Sequence, residues 1–436
     1  MVGARLCACV GCLWLGWSSV AGADPILAGR ILNPVTSAEP VAGTSYPAVS
    51  GDGRFLFFVS SSNNLGIVSN GALNLYRADM AAATPANLSL ALALPWLGNG
   101  NTYSPSASNS GTVVAFETLA TNLGGTQGGF SDVYVSYQIS LPQDEIGFET
   151  QLVSRGMGGQ APNGASRHAS ISGDGRVVVF WSDASNLVAA DTNGAPDIFV
   201  VDVDVPMLGP IERISVTSSE AQIPGYSRAL SNNALSNDGR YVVFSADAEL
   251  DGAHPGNLED VYLRDRTAGT TTLLSRASNG TPLTSSSDQA SISPNARYVV
   301  FRSFQGGTST VFLRDRQLNT TVNIPAPPTV TVCQKPHVSN DADIIMQCSS
   351  SLGGISQQAW FVRGSDGASF RLSSTPANTN GNNTSGDLTD LSDNGDVLAF
   401  DSDASDLDPG DSNSDPDVFV AIEEELLYAI FSDGFE

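Results

Sequence analysis

The most regular feature of the sequence is a short apolar run that recurs along the chain, each time after a serine and usually an Asp/Asn-Gly turn. The third copy, Ser170 to Phe180, shows the pattern clearly. Successive copies lie 45 to 64 residues apart and end at Phe58, Phe116, Phe180, Phe244, Phe301, Met346 and Phe400. One unit repeated at such a period is typical of repeat proteins. The sequence therefore predicts seven copies of one structural unit.

Each unit has the pattern of a four-stranded antiparallel sheet. A first strand rich in Ala and Ser leads to a turn such as Asp174-Gly175, where glycine provides the positive φ of a tight hairpin. A β-branched and aromatic second strand follows, such as Val177 to Phe180. After a polar loop, the third strand begins at a polar residue, which in five units is Asn74, Asp132, Asp197, Asp260 and Asp417. A fourth strand follows a hairpin, marked in the fourth unit by Gly269.

Seven such sheets predict an all-β fold, a seven-bladed β-propeller of four-stranded antiparallel blades. A lone sheet cannot bury both faces, and radial packing around an axis buries them while leaving short edges. The segment Arg30 to Gly43 parallels Arg213 to Gly225, a fourth strand with its link to the next blade. No blade precedes Arg30, so we expect its strand to pair with Val418 to Ile422 and close the ring. The alternative closing strand is Leu426 to Phe431.

The N-terminus has the pattern of a signal peptide. An apolar run from Leu6 to Val20 precedes Ala21-Gly22-Ala23, a small-x-small cleavage site. The run is shorter than the ~20 apolar residues of a membrane span. We therefore expect a signal peptide over 1–23, a propeller over 24–425 and a C-terminal tail over 426–436. An acylated Cys9 or Cys12 is the alternative. The protein is predicted to be exported, to the periplasm or the extracellular space, with no transmembrane segment.

Charge and cysteine content narrow the classes of partner. The net charge is −25, which disfavours nucleic acid and anionic lipid as partners. After signal cleavage only Cys333 and Cys348 remain. An even pair in an oxidising compartment predicts a disulfide, with two buried thiols as the alternative. We expect a monomer.

The repeat resembles that of a known family. Ser172 to Phe180 and Ser236 to Phe244 carry the pattern Ser-x-Asp-Gly-Arg-x-Val-Val-Phe, and Asp260 to Asp265 reads Asp-Val-Tyr-Leu-Arg-Asp. These motifs are similar to the TolB-like (WD-like) β-propeller repeat of exported bacterial proteins, over about residues 30 to 422. The resemblance implies a propeller but leaves function open, because such repeats include interaction scaffolds, gating propellers of peptidases and polysaccharide lyases.

Two loops before third strands carry oxygen ligands at alternate positions. Such loops suit Ca²⁺, which takes six to eight oxygens in flexible geometry. Pro416 and Ile422 depart from the EF-hand pattern, and the alternative is that these residues only cap turns. The predicted calcium ligands are Asp191, Asn193 and Asp197 in the third unit, and Asp411, Asn413, Asp415 and Asp417 in the seventh.

These loops share one face of the propeller with the residues at the start of each inner strand. That position varies between units while the turns repeat, as expected of a binding surface on a common scaffold. The predicted ligand-binding residues are Tyr46, Arg167, His168, Arg228, Gln289 and Lys335. The alternative is that each is a solvated rim residue.

No motif of nucleophilic catalysis or His-rich zinc binding occurs in the sequence. The sequence therefore favours an exported binding or interaction module for a protein or glycan ligand, stabilised by calcium. A carbohydrate-active enzyme of the polysaccharide lyase kind, with His168 as base, is the first alternative. Structural adhesion through the blade surfaces is the second.

Overall fold

The apolar runs of the repeat form the second strand of each sheet, where β-branched and aromatic residues pack on both faces. The structure, a computed structural model, describes residues 26–31, 39–65, 70–80, 98–140, 146–204, 207–228, 233–250, 258–305, 308–350 and 357–423. The predicted signal peptide (1–23), the tail (426–436) and the alternative closing strand lie outside these residues. No helix among the described residues is long and apolar enough to cross a membrane.

The described strands, in chain order, are β1 (Ile26–Arg30), β2 (Thr44–Val49), β3 (Phe55–Ser60), β4 (Asn74–Asp79), β5 (Thr102–Ala107), β6 (Val113–Thr118), β7 (Asp132–Ser140), β8 (Ile146–Leu152), β9 (Ser166–Ile171), β10 (Val177–Ser182), β11 (Asp197–Asp204), β12 (Met207–Arg213), β13 (Ser227–Arg228), β14 (Tyr241–Ala246), β15 (Asp260–Asp265), β16 (Thr270–Leu273), β17 (Ser287–Ile292), β18 (Tyr298–Gln305), β19 (Thr308–Asp315), β20 (Thr320–Ile324), β21 (Val332–Val338), β22 (Ile344–Ser349), β23 (Gln358–Val362), β24 (Ser369–Arg371), β25 (Ser385–Leu391), β26 (Val397–Ser402) and β27 (Asp417–Glu423).

These strands form seven antiparallel sheets, one for each predicted unit. Six sheets have four strands, and the sheet of the first unit has three among the described residues. The third strands begin at the residues predicted from sequence. The predicted all-β, seven-bladed propeller with four-stranded antiparallel blades is confirmed.

The serine of the repeat builds the turn between the first two strands. In the third blade the Ser172 hydroxyl donates to Asp174 Oδ1 (2.6 Å) and accepts the amide N–H of Val177 (2.9 Å). Gly175 follows with a φ of 74°, which glycine adopts without a Cβ penalty. The sequence motif is thus a self-capped hairpin turn.

The seven turns are joined into a ring of hydrogen bonds around the central axis. Each turn bonds to the next, and the seventh bonds to the first through the Asp393 N–H and the Gly51 carbonyl (2.9 Å). We call this set the turn ring; its members are Gly51, Asn109, Gly173, Asn237, Pro294, Asn340 and Asp393. Six of the seven contacts are backbone to backbone, and Asn340 accepts the remaining one through its side chain.

Apolar cores lie between neighbouring blades. Separate clusters of buried side chains join blades one and two, two and three, three to five, five and six, six and seven, and seven and one. Within six blades the aligned Phe of the second strand pairs with an aromatic residue of the third, with ring centroids 5.4 to 6.1 Å apart. The blades therefore bury their faces only against one another.

The last blade includes a strand from the start of the chain. Strand β1 pairs antiparallel with β27, from Ile26 opposite Glu423 to Arg30 opposite Phe419. The sheet order is β1-β27-β26-β25, so β1 takes the outermost place. Closure of the ring by this strand stays a prediction.

Candidate functional site

The inner strands of six blades share a bulge. The pairing of the first two strands shifts register at this point, for example between Arg167 and Ser170 in the third blade. Positive φ is uncommon outside glycine, so its recurrence at the same place in several blades shows that the bulge is a repeated feature of the fold. Five non-glycine residues adopt φ of 46 to 55° at the bulge: Tyr46, Ser104, His168, Gln289 and Lys335.

Four predicted ligand-binding residues therefore occupy one structural position in four blades. Arg167 and Arg228 lie at equivalent places in the pairing of the first two strands of blades three and four, opposite Trp181 and Ser245 respectively. All six predicted residues lie on the face opposite the turn ring, which we call the channel mouth. Asn232, the equivalent of the bulge residue in the fourth blade, lies outside the described residues.

Two of the bulges are held by a side chain of the preceding blade, and one of these two side chains, Glu117, was not among the residues predicted from sequence. The His168 N–H donates to Glu117 Oε2 (2.9 Å) of the preceding blade, and the Lys335 N–H donates to Gln289 Oε1 (2.8 Å). Glu117 follows directly after the aligned apolar residue of its repeat. Inspecting that position in every repeat would have found the second-strand residues of the mouth: Val59, Glu117, Trp181, Ser245, Arg302, Gln347 and Asp401.

Most cations at the mouth are held in close ion pairs. Arg228 makes a bidentate contact with Glu259 (2.6 and 2.8 Å), and Arg302 pairs with Asp288. Lys335 pairs with Asp387. Bidentate contacts fix both partners in orientation. These groups are therefore oriented by the protein before any ligand arrives.

Arg167 differs from these cations. Its closest carboxylate oxygen, Asp183 Oδ2, is 3.8 Å away, and its side chain is 41% exposed. The guanidinium lies 5.6 Å from the centre of the Trp181 ring, a cation–π distance. His168 lies on the same indole, with ring centroids 6.1 Å apart. An exposed cation and an aromatic surface thus stand side by side.

Burial shifts the pKa of several mouth groups. Burial raises the pKa of Glu117, against the hydrogen bond from His168, and raises the pKa of Asp401 to about 7. Burial, followed by the nearby Glu117 charge, raises the pKa of Tyr46 to about 12. Burial and the charge of Arg167 lower the pKa of His168. At neutral pH the His168 imidazole is therefore uncharged.

The channel narrows at the turn ring. A cavity of about 40 Å³ remains there, lined by turn-ring residues and by Asn233. Asn233 Nδ2 donates across the axis to Asp390 Oδ1 (2.9 Å), and Asn237 Nδ2 donates to Asp393 Oδ2 (2.6 Å). A space of this size holds a few waters at most. A ligand larger than a few waters therefore does not fit into this cavity.

In the third blade the predicted calcium loop surrounds an arginine. Arg213 lies 3.3 Å from Asp191 and 3.2 Å from Asp197. The amide of Gln222 donates to both carboxylates (2.9 and 3.2 Å). Asn193 caps the turn, accepting the Ala195 N–H (3.2 Å). The loop thus brings Asp191 and Asp197 together, with donors from the protein between them.

In the seventh blade the loop is built on the same plan but is more acidic. Arg30 lies 2.8 Å from Asp417 and 3.8 Å from Asp411, and it also contacts Glu39 (3.0 Å) and Asp408 (2.6 Å). Burial raises the pKa of Asp417 to about 6, although Arg30 lowers it. Burial and the hydrogen bond with Glu39 raise the pKa of Asp411.

The other two predicted ligands of the seventh loop have structural partners. Asn413 Oδ1 accepts the Asp415 N–H (2.7 Å), and Asn413 Nδ2 donates to the Pro40 carbonyl (3.2 Å). Asp415 is exposed. Glu39, which the sequence analysis did not consider, lies beside Asp411 and Asp417 in their place. Calcium binding in both loops stays a prediction.

These features define the class of the protein: a seven-bladed β-propeller with a narrowed channel at one end and a polar mouth at the other. No protein-family model and no curated protein sequence matches the chain. The predicted similarity to TolB-like propellers is confirmed at the level of the fold.

Three solved structures illustrate that similarity. TolB from Acinetobacter baumannii is 18% identical, with a TM-score of 0.38 over 68% of this chain and 57% of that chain. An oligogalacturonate lyase from Vibrio parahaemolyticus is 12% identical, with a TM-score of 0.53 over 91% of this chain and 96% of that chain. An oligogalacturonate lyase in complex with manganese is 12% identical, with a TM-score of 0.52 over 93% and 98%. At these identities the similarity concerns the fold alone.

Proposed function

We propose that the protein is an exported binding module that holds a protein or glycan ligand at the channel mouth. The observation that carries the proposal is the exposed Arg167 guanidinium on the Trp181 ring, whose closest carboxylate is 3.8 Å away. An arginine and an aromatic face together bind a carboxylate or hydroxyl beside an apolar surface. Such residues dominate the binding free energy of interfaces.

Two further observations support an exported, non-nucleic-acid-binding protein. The Cys333–Cys348 disulfide is typical of oxidising compartments, in agreement with the predicted signal peptide over 1–23. The net charge of −25 repels nucleic acid and anionic membranes. The ligand is therefore sought among proteins and glycans of the periplasm or the extracellular space.

A glycan and peptide array probed with the mature protein tests the proposal. We expect one ligand class to bind, and Trp181→Ala and Arg167→Ala each to weaken that binding at least about tenfold. Arg297→Ala is the matched control, because Arg297 stacks on Tyr298 (4.7 Å) at the end of the blade next to the turn ring. A silent array, or equal losses for Trp181→Ala and Arg297→Ala, would contradict the proposal. Binding that survives all three changes would favour adhesion through the blade surfaces.

A second candidate is a polysaccharide lyase. The observation that favours it is the half-buried His168 beside Arg167, with its lowered pKa, since a lyase needs a base near a group that binds the substrate carboxylate. Incubation with uronic-acid polymers would then produce an unsaturated product that absorbs in the ultraviolet. His168→Ala would abolish that absorbance, whereas a flat signal across the polymers would eliminate this candidate.

A further inference from the structure

The acidic loops of blades three and seven share one architecture but differ in their balance of donors and acceptors. In each, an arginine of the outermost strand reaches the aspartate that opens the third strand and the aspartate six residues before it. Nine residues after that arginine the third blade has Gln222, whereas the seventh has Glu39. The pair is therefore an internal comparison within one chain.

The third-blade loop is satisfied by the protein itself. Asp197 Oδ2 accepts from Gln222, and Asp197 Oδ1 accepts from the Ser215 hydroxyl (2.6 Å). Asp191 Oδ1 accepts from Gln222 as well. A serine at the equivalent place also donates to the residue that opens the third strand in blades two, four and six.

The seventh-blade loop lacks both donors. Glu39 replaces the amide of Gln222 with an acceptor, and Leu32 stands in the sequence where the third blade has Ser215. Among the residues that the structure describes, none donates a hydrogen bond to Asp411 Oδ1 or Asp417 Oδ1, and these two side chains are only 2% and 1% exposed. Buried charged oxygens without partners are costly and call for a ligand.

The geometry of these oxygens fits a hard divalent cation. One oxygen from each of Glu39, Asp411 and Asp417 lies within 4.8 Å of the others. Ca²⁺ binds oxygens at 2.3–2.6 Å, so ligands on opposite sides of the ion are up to about 5 Å apart. Arg30 and four carboxylates leave an excess of negative charge when all are ionised. An all-oxygen ligand set suits Ca²⁺ better than softer metals.

We propose that Glu39, Asp411 and Asp417 form a calcium site that joins the segment before the first blade to the last blade. Glu39 precedes β2, whereas Asp411 and Asp417 belong to the seventh blade. In the third blade Gln222 and Ser215 donate hydrogen bonds to the two aspartates. In the seventh blade the ion would take the place of these donors. Of the seventh-loop residues predicted from sequence, Asn413 and Asp415 build the loop instead. The site does not depend on the ligand proposed for the channel mouth.

Calcium titration of the mature, EDTA-treated protein tests this site. We expect isothermal titration calorimetry to give one Ca²⁺ per chain, and saturating Ca²⁺ to raise the Tm by about 3 °C. Asp411→Asn and Glu39→Gln should each remove the binding heat and the Tm shift. Glu39→Gln is expected to fold, because it reproduces the residue type that the third blade has at Gln222.

The third blade provides the matched control. Asp191→Asn should leave both the binding heat and the Tm shift unchanged, because that loop is satisfied by protein donors. Wild-type protein without binding heat or a Tm shift would overturn the proposal. A calcium response that Asp191→Asn removes and Asp411→Asn retains would also overturn it.

Discussion

At the scale of single residues, the polar residue that opens the third strand is buried in six of the seven blades; the exception is Thr308 in the fifth blade, which is exposed. Asp132 is 2% exposed, and it accepts a hydrogen bond from the Ser154 hydroxyl (2.9 Å). Burial raises its pKa from 3.8 to about 6, although the Ser154 contact lowers it. Blades one and six carry uncharged Asn74 and Gln358 at the same position. The position therefore needs a hydrogen-bonding group but no charge.

Replacing Asp132 by asparagine should change how stability depends on pH. Between pH 3.8 and about 6, Asp132 of the folded wild type holds a proton that the unfolded chain has released. This proton favours the folded state, so the stabilisation that is present below that range is lost as the pH rises through it. We expect Asp132→Asn to exceed wild type in unfolding free energy by about 1–2 kcal/mol at pH 8 and to match it near pH 3. Urea unfolding at both pH values measures this.

Asp204→Asn is the control, because Asp204 is exposed at the end of the same kind of strand. It should show no such dependence on pH. A difference between Asp132→Asn and wild type that stays constant from pH 3 to pH 8 would contradict the assigned pKa.

At the scale of elements, the inner hairpin of the sixth blade carries a cross-strand disulfide. Cys333 and Cys348 face each other in the register of β21 and β22, with Cα atoms 4.2 Å apart. The prediction from the cysteine count is therefore confirmed. The bond keeps the two strands of the hairpin connected in the unfolded chain and so lowers the conformational entropy of the unfolded state.

Removing both cysteines should destabilise the protein moderately. The disulfide closes a loop with a sequence separation of 15, which corresponds to about 3 kcal/mol in the chain-entropy estimate. We expect Cys333→Ala/Cys348→Ala to unfold at lower urea concentration than wild type. Dithiothreitol should shift wild type towards the variant and leave the variant unchanged. Equal midpoints for oxidised wild type and variant would contradict a stabilising role.

The sequence predicts the strands well but not the bulges within them. Alternation, the Ser-Asp-Gly turn and the β-branched runs are local signals, and each structural unit follows from them. The positive φ of Tyr46, His168 and Lys335 opposes local preference. In His168 and Lys335 the bulge N–H bonds to a side chain from the preceding blade. Such a contact can be predicted only when the blade order is known.

At the scale of the whole molecule, seven repeats sufficed to predict the ring, whereas the contacts of the candidate sites were only partly foreseen. The acidic loops were recognised as oxygen-rich, but their cations come from Arg213 and Arg30. Arg30 and Asp417 are 387 residues apart in the chain. Glu39 joins them from a segment that has no strand signal. Residues so distant in the chain come together only in the folded protein.

The most direct test of the account is a disulfide designed between the two ends of the propeller. The Ile31 N–H donates to the Val418 carbonyl (3.2 Å). By the alternation of an antiparallel ladder, Ala28 and Ala421 are then a non-hydrogen-bonded pair, the kind of pair in which the Cα atoms lie closest. The matched control, Ala28→Cys with Ala359→Cys in the sixth blade, should remain reduced. We predict that Ala28→Cys/Ala421→Cys oxidises within one chain, as seen by mass spectrometry of its peptides, and that the cross-link raises the Tm. Free thiols at both positions under oxidising conditions would contradict closure of the ring by the N-terminal strand.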